Sequence, residues 1–112
     1  MTDLSLKKCA VCDGSTPPLS KEEIDKLKVE LDSNWVIDEQ AKTLVRKFTF
    51  KGFAKATYMA NLAAFISDKE GHHADIAFGW GYCQVTFTSH EAGGLTGNDF
   101  ICAAKLDAAI AL

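Results

Sequence analysis

The sequence predicts an α+β domain: a four-stranded antiparallel sheet with three helices packed on one face. The hydrophobic pattern changes period in the order helix, two strands, helix, two strands, helix. Each pair of strands is separated by a short polar or glycine-containing connection, as in a β-hairpin. Three amphipathic helices can cover only one face of such a sheet well. The other face is therefore expected to be solvated or paired with another subunit.

Length and composition favour one compact domain. The chain has 112 residues, and 47% of them are hydrophobic, which is enough to fill a core of its own. Residues 1–17 are polar and include Pro17 and Pro18, so we predict a flexible lead-in to a domain that spans residues 18–112.

The charge and the apolar runs exclude several functional classes. Twelve Lys and Arg against fifteen Asp and Glu give a net charge of −3, so a basic nucleic-acid surface is not expected. The apolar runs, five residues at most, are far below the roughly 18 needed to span a membrane. The N-terminus lacks the apolar stretch of a secretory signal, which favours a cytoplasmic location.

The first helix is predicted over residues 21–31. Ser20 is its expected N-cap, and Glu23 stands three residues further on, as a capping box requires. The first hairpin follows, because residues 35–37 and 44–50 are β-prone and a polar segment separates them. The apolar residues of the first helix form one stripe: Ile24, Leu27 and Leu31.

The second half of the chain again predicts a helix followed by two strands, and it ends in a third helix. Residues 53–67 carry apolar side chains three and four apart, which predicts the longest helix. Residues 76–80 and 83–88 alternate as strands do, and glycines on both sides of Trp80 indicate a tight connection or a bulge between them. A last helix is predicted over residues 97–111.

The main functional signal is a cluster of histidines. The chain has three, and all lie within nineteen residues: His72, His73 and His90. They fall near the ends of predicted elements, where loops often form a pocket. Imidazoles titrate near neutral pH, so this pattern favours general acid/base chemistry on a small polar substrate, with Trp80 or Tyr82 able to stack against it. The alternative is three unrelated surface histidines.

Asp99 is the carboxylate most suited to join this cluster. It lies in the first turn of the last helix, three residues after Thr96. That spacing makes it the partner of an N-cap, a shorter version of the usual Glu. From spacing alone, Asp99 either orients an imidazole or only caps its helix, and capping is the commoner role.

A metal site is the first alternative, because three histidines and a carboxylate would suit zinc. Adjacent side chains point to opposite faces of a strand or about 100° apart on a helix, so His72 and His73 are poorly placed to bind one ion. Cys9 and Cys12 have half of a zinc-ribbon pattern without a second pair. They are either two simple thiols or a pair with transient metal or redox behaviour. No disulfide is expected in a reducing compartment.

Several segments of the chain resemble the pterin-4a-carbinolamine dehydratases. They include residues 71–75 (GHHAD), residues 86–91 (TFTSHE) and residues 93–99 (GGLTGND). The resemblance extends over about residues 18–110 and includes the start of the first helix, a strand with tryptophan and the FTFKGF segment before the long helix. It departs from many members at Gly71, where they have an acidic residue, and at Ala74, where they have proline.

The resemblance implies a four-stranded antiparallel sheet, dimers or tetramers, and no metal or organic cofactor. It implies dehydration of the 4a-hydroxytetrahydropterin left by aromatic amino acid hydroxylases, giving the quinonoid dihydropterin. A hydroxylase is then a possible partner. Some family members also serve as a dimerisation cofactor of a transcription factor, so a non-catalytic binding module of the same fold is the alternative function.

Carried onto this chain, the resemblance identifies a set of site residues. Its catalytic residues would be His72, His73, His90 and Asp99. We expect His72 and His90 to act as acid and base, His73 chiefly to bind substrate, and Asp99 to orient and stabilise charge. Further substrate-binding candidates are Asp68, Asp75, Trp80, Ser89 and Glu91.

Overall fold

A computed structural model describes residues 3–10 and 16–111 of the chain. The helices are α1 (Lys21–Lys28), α2 (Ala54–Glu70) and α3 (Gly97–Ile110). The strands are β1 (Val36–Ile37), β2 (Leu44–Thr49), β3 (Asp75–Gly79) and β4 (Tyr82–Phe87). This order and the α+β class are those predicted. Within the described residues, no helix is both long and apolar enough to cross a membrane.

The sheet has the strand order β1-β2-β4-β3, and every neighbouring pair is antiparallel. Both predicted hairpins form, and β2 joins them by pairing with β4 from Leu44 opposite Phe87 to Thr49 opposite Tyr82. Helices α2 and α3 pack against β4. The buried side chains that the sheet contributes to the core are Leu44, Phe48, Cys83, Val85 and Phe87.

Helix α1 begins as predicted and ends earlier. The Ser20 hydroxyl accepts from the N–H of Glu23 at 3.2 Å, and the Glu23 carboxylate accepts from the N–H of Ser20 at 3.0 Å, which completes a capping box. The helix ends at Lys28, although the apolar stripe continues to Leu31. Leu31 is still buried, because a turn in which its N–H donates to the carbonyl of Lys28 brings it into the core.

A buried polar junction ties β2 to the end of α3. Arg46 lies on the same face of β2 as Leu44 and Phe48, and its Nη1 donates to Asp107 Oδ1 at 2.7 Å. The indole N–H of Trp35, which is 1% exposed, donates to the same oxygen at 2.8 Å. Asp107 therefore satisfies the indole N–H, which would otherwise be buried without an acceptor, and it shares Arg46 with Asp32, whose carboxylate lies 3.6 Å from Nη2.

Residues 3–10 of the predicted N-terminal lead-in make contacts with the domain. Residues 3–10 lie on α3, and Leu4 is only 3% exposed. The Lys105 ammonium donates to a backbone carbonyl of this segment at 2.8 Å. Ala10 and Asn98 exchange two hydrogen bonds, at 2.9 and 2.8 Å. The segment is polar in composition, but the buried side chain of Leu4 anchors it, and side chains of α3 form hydrogen bonds with its backbone.

Candidate active site

A cleft of about 280 Å³ lies at the open end of the second hairpin, where β3 begins and β4 ends. Strand pairing brings together two loops that are far apart in sequence, one after α2 and one after β4. All three histidines lie on this cleft. Its lining residues are Gly71, His72, His73, Thr88, Ser89, His90 and Glu91.

The loop after α2 places its two histidines differently. Gly71 caps the helix in the left-handed conformation, at φ 67°, which a residue with a side chain rarely adopts. The N–H of His72 then donates to the Ser67 carbonyl at 3.0 Å, and the N–H of Ala74 donates to the Ser67 hydroxyl at 3.3 Å. As a result His72 is buried, whereas the side chain of His73 is 70% exposed.

Asp99 is fully buried and holds His72 in place. His72 Nε2 lies 2.6 Å from Asp99 Oδ1. The other carboxylate oxygen accepts from the Ser89 hydroxyl at 2.7 Å and from the backbone N–H of Thr96 at 2.9 Å. The contact with Thr96 is the one that a capping box predicts. Asp99 therefore fills both roles that spacing left open, because one oxygen orients an imidazole and the other caps α3.

The contact with Asp99 changes the pKa of His72. The hydrogen bond to Asp99 raises the pKa of His72 above its usual value, and burial of the ring opposes this only in part. The ring stacks near Phe87, with centroids 6.3 Å apart. Since Asp99 engages Nε2, Nδ1 is the ring nitrogen that remains for chemistry in the cleft.

The remaining cleft residues are more exposed. His90 and Glu91 belong to a 3₁₀ turn, His90–Ala92, that leaves both side chains open to solvent. His73 Nε2 lies 3.6 Å from Asp68 Oδ1, and both side chains are largely exposed, so this ion pair is weak. Exposed polar groups at the mouth of a cleft are well placed to bind a substrate rather than to stabilise the fold.

Three of the predicted substrate-binding residues, Asp68, Asp75 and Trp80, are not among the residues that line the cleft. Trp80 stands in the turn between β3 and β4, at the opposite end of the hairpin from the cleft, so the fold of one chain does not bring it to the histidines. A five-residue strand separates that turn from the cleft, roughly 16 Å at 3.3 Å per residue. Asp75 begins β3 and is exposed, near the cleft but not among its lining residues. Thr88 lines the cleft and was not predicted, although it directly precedes Ser89.

A metal site was the alternative interpretation of the histidine cluster. Among residues 3–10 and 16–111, no group of three or more His, Cys, Asp or Glu side chains is placed to hold a metal ion. Cys12, half of the pair singled out in the sequence, falls outside the described residues.

Comparison with known proteins connects this site to a family. The family model described as pterin 4 alpha carbinolamine dehydratase matches residues 17–109. A protein of Rickettsia canadensis is 46% identical over 110 residues, 98% of this chain and 100% of that protein. One of Nitrosospira multiformis is 47% identical over 105 residues, 94% of this chain and 90% of that protein. Both are assigned by name to the pterin-4-alpha-carbinolamine dehydratases.

A solved structure agrees in fold. The crystal structure of a transcriptional coactivator/pterin dehydratase from Brucella melitensis superposes with a TM-score of 0.73 at 27% identity, over 81% of this chain and 96% of that one. These matches place the chain among the hydro-lyases, enzymes that remove water by breaking a carbon–oxygen bond. It belongs to the pterin-4a-carbinolamine dehydratase family.

Proposed function

We propose that this chain dehydrates a 4a-hydroxytetrahydropterin to the quinonoid dihydropterin, with His72 and His90 as its acid and base. The observation that carries the proposal is the cleft itself, where three imidazoles meet and a buried carboxylate holds one of them at 2.6 Å. The reaction needs a proton delivered to the hydroxyl on C4a and a proton removed from N5. Imidazoles can do both near neutral pH.

His72 is the general acid in this proposal. Asp99 raises the pKa of His72, so the protonated ring is favoured near neutral pH. Its Nδ1–H donates the proton to the C4a hydroxyl oxygen while the carbon–oxygen bond breaks and water leaves. The imidazole that remains keeps its hydrogen bond to Asp99, so its orientation is retained between turnovers.

His90 is the general base. It accepts the proton from N5, and the electron pair of that N–H bond becomes the second bond between C4a and N5. One proton leaves His72 and one reaches His90, and exchange with solvent restores both. The reaction is redox-neutral and imidazoles can transfer both protons, so the proposal includes no metal and no organic cofactor.

The exposed groups of the cleft bind the substrate. His73 and Glu91 line the cleft, Asp68 lies 3.6 Å from His73, and these side chains offer acceptors to the amino and N–H groups of a pterin ring. Ser89 has a different role, because its hydroxyl is buried and donates to Asp99. Asp75 stays a predicted binding residue.

The biological setting follows from the substrate. Aromatic amino acid hydroxylases leave a 4a-hydroxytetrahydropterin, so this activity would recycle their cofactor in the cytoplasm, and such a hydroxylase is the candidate partner. A homodimer or homotetramer is proposed with it, since β3 is an edge strand of the sheet. Sedimentation velocity of the purified chain would measure that state.

A non-catalytic binding module is the second candidate. The Brucella melitensis structure carries the name of a transcriptional coactivator as well as that of a dehydratase. On α2, Tyr58 and Phe65 lie seven residues apart on one helix face and are 67% and 65% exposed, as a protein-binding surface would be. A binding module would not need three imidazoles on one cleft.

Stopped-flow dehydration of a chemically generated 4a-hydroxytetrahydropterin separates the two candidates. The proposed enzyme accelerates the reaction above its rate in water, and His72→Ala or His90→Ala each lowers kcat by about 10² to 10⁴. Asn61→Ala, exposed on α2, is the control and should leave kcat unchanged. A wild-type rate equal to that in water would reject the enzyme and favour the binding module.

A further inference from the structure

A pair of thiols lies where the N-terminal segment crosses α3. Cys9 Sγ and Cys102 Sγ are 3.5 Å apart, although the residues are 93 positions apart in the chain. Cys9 is half-buried and Cys102 is fully buried. The proposed dehydration uses neither of them.

The surrounding contacts fix the position of Cys9. Its N–H donates to Glu70 Oε1 at 3.1 Å, and its thiol contacts the carbonyl oxygen of Asn98 at 3.6 Å. The next residue, Ala10, exchanges two hydrogen bonds with the Asn98 side chain. The backbone on both sides of the thiol pair is therefore held by the fold, and the close approach of the two sulfur atoms follows from several independent contacts.

We propose that Cys9 and Cys102 are a redox modification site, at which a reversible disulfide tethers the N-terminal segment to α3. The bond would replace a contact between two thiols by a covalent link one helical turn from Asp99. It requires the sulfur atoms to approach to about 2.05 Å. Rotation of the half-buried Cys9 side chain can supply this movement while its backbone stays in place, whereas Cys102 is fully buried within a helix.

The chemistry needs an oxidant, and a low-molecular-weight disulfide is the class we name. The Cys9 thiolate attacks one sulfur of this disulfide, whose S–S bond breaks and releases one thiol. Cys102 then loses its proton and attacks Cys9 Sγ, which releases the second thiol and forms the protein disulfide. The two cysteines lose two electrons and two protons, and the small disulfide is reduced to two thiols.

The two cysteines are suited to different steps. Cys9 is the accessible thiol, and its hydrogen bond with Cys102 lowers the pKa of Cys9. The same hydrogen bond and burial raise the pKa of Cys102. Cys9 is therefore the attacking thiol and Cys102 the resolving one.

Peptide mapping after treatment with oxidised glutathione tests the site. Trypsin leaves Cys9 and Cys12 on one peptide, and a glutamyl endopeptidase that cleaves after Glu91 separates Cys83 from Cys102. The expected cross-linked peptide joins residues 9–21 to residues 92–105. It should form in the wild type, in Cys12→Ser and in Cys83→Ser, and should be absent from Cys9→Ser and Cys102→Ala.

The bond should also change thermal stability. Because it closes a loop of 93 residues, oxidation should raise Tm by more than about 5 °C in wild type and in Cys12→Ser, and dithiothreitol should reverse the rise. Cys83→Ser, another buried cysteine, is the matched control and should show the same rise. Cys9→Ser should show none.

Three results would overturn the proposal: a disulfide between Cys9 and Cys12 alone, a glutathione adduct on Cys9 that never resolves, or no oxidation at all. If Cys102→Ala fails to fold, the peptide map of Cys12→Ser tests the pairing instead. In that variant the remaining partners for Cys9 within the chain are Cys83 and Cys102, and the map distinguishes them. None of these readouts depends on dehydratase activity.

Discussion

Replacing Asp99 by asparagine removes the charge that holds His72 and keeps the size of the side chain. The amide oxygen can still accept from Ser89 and Thr96, as Asp99 Oδ2 does at 2.7 and 2.9 Å. The amide nitrogen then faces His72 Nε2, which must become an acceptor, so the variant favours a neutral His72 with its proton on Nδ1. A neutral imidazole is a much weaker acid, and we expect kcat to fall by about 10².

The same variant should lose stability in a pH-dependent way. A hydrogen bond between charged groups contributes about 1.5–3 kcal/mol, and Asp99 is fully buried, so Asp99→Asn should lower the free energy of unfolding by roughly that amount. Asp99 raises the pKa of His72 in the folded state above its unfolded value of about 6.5. The stabilisation from the pair is therefore fully present below pH 6.5 and is lost as the pH rises through the folded pKa.

Urea denaturation of both proteins at pH 6 and pH 9 measures this difference, and stopped-flow dehydration measures kcat. The difference in unfolding free energy between wild type and Asp99→Asn should be larger at pH 6. Asp25→Asn, exposed on α1, is the matched control and should alter neither quantity. A wild-type kcat in Asp99→Asn, with the same stability difference at both pH values, would refute the assigned role of the His72–Asp99 pair.

Four further outcomes are expected. Asp107→Ala leaves the indole N–H of Trp35 without its acceptor and leaves Arg46 only the more distant Asp32, so it should lower the unfolding free energy by about 2 kcal/mol in a urea titration. His73→Ala should raise KM more than it lowers kcat, because this ring is exposed at the cleft mouth. Trp80→Ala should leave kcat/KM unchanged, since Trp80 lies at the far end of the hairpin. Dialysis against a chelator should leave the dehydration rate unchanged, and restoration of a lost rate by zinc would contradict the metal-free chemistry.

The order of elements could be predicted because the spacing of apolar residues follows the period of the local backbone, as in β4, where buried and more exposed residues alternate. The end of α1 could not, because Leu31 continues the helical period while a turn brings it to the core. The packing of residues 3–10 was missed for a related reason. It depends on one buried leucine, Leu4, and on partners about 90 to 100 positions away, such as Asn98 and Lys105.

The meeting of the histidines could be inferred from their places at element ends, since hairpin pairing brings those ends together. The spacing of residues does not predict which nitrogen of His72 faces the carboxylate. That orientation depends on the loop geometry set by Gly71 and Ser67. Spacing gave the two roles of Asp99 as alternatives, and that it fills both at once depends on the contact of its second oxygen with His72, which is distant in sequence. The aromatic character of Trp80 suggested stacking against a substrate, whereas its distance from the cleft depends on the turn in which it stands.

A folded His72→Ala, His90→Ala double variant most directly tests whether the two imidazoles together perform the dehydration. Its rate of dehydration of a 4a-hydroxytetrahydropterin, corrected for the reaction in water, should approach zero while circular dichroism and Tm confirm the fold. Dehydration by this double variant at the wild-type rate would contradict that role of the two imidazoles.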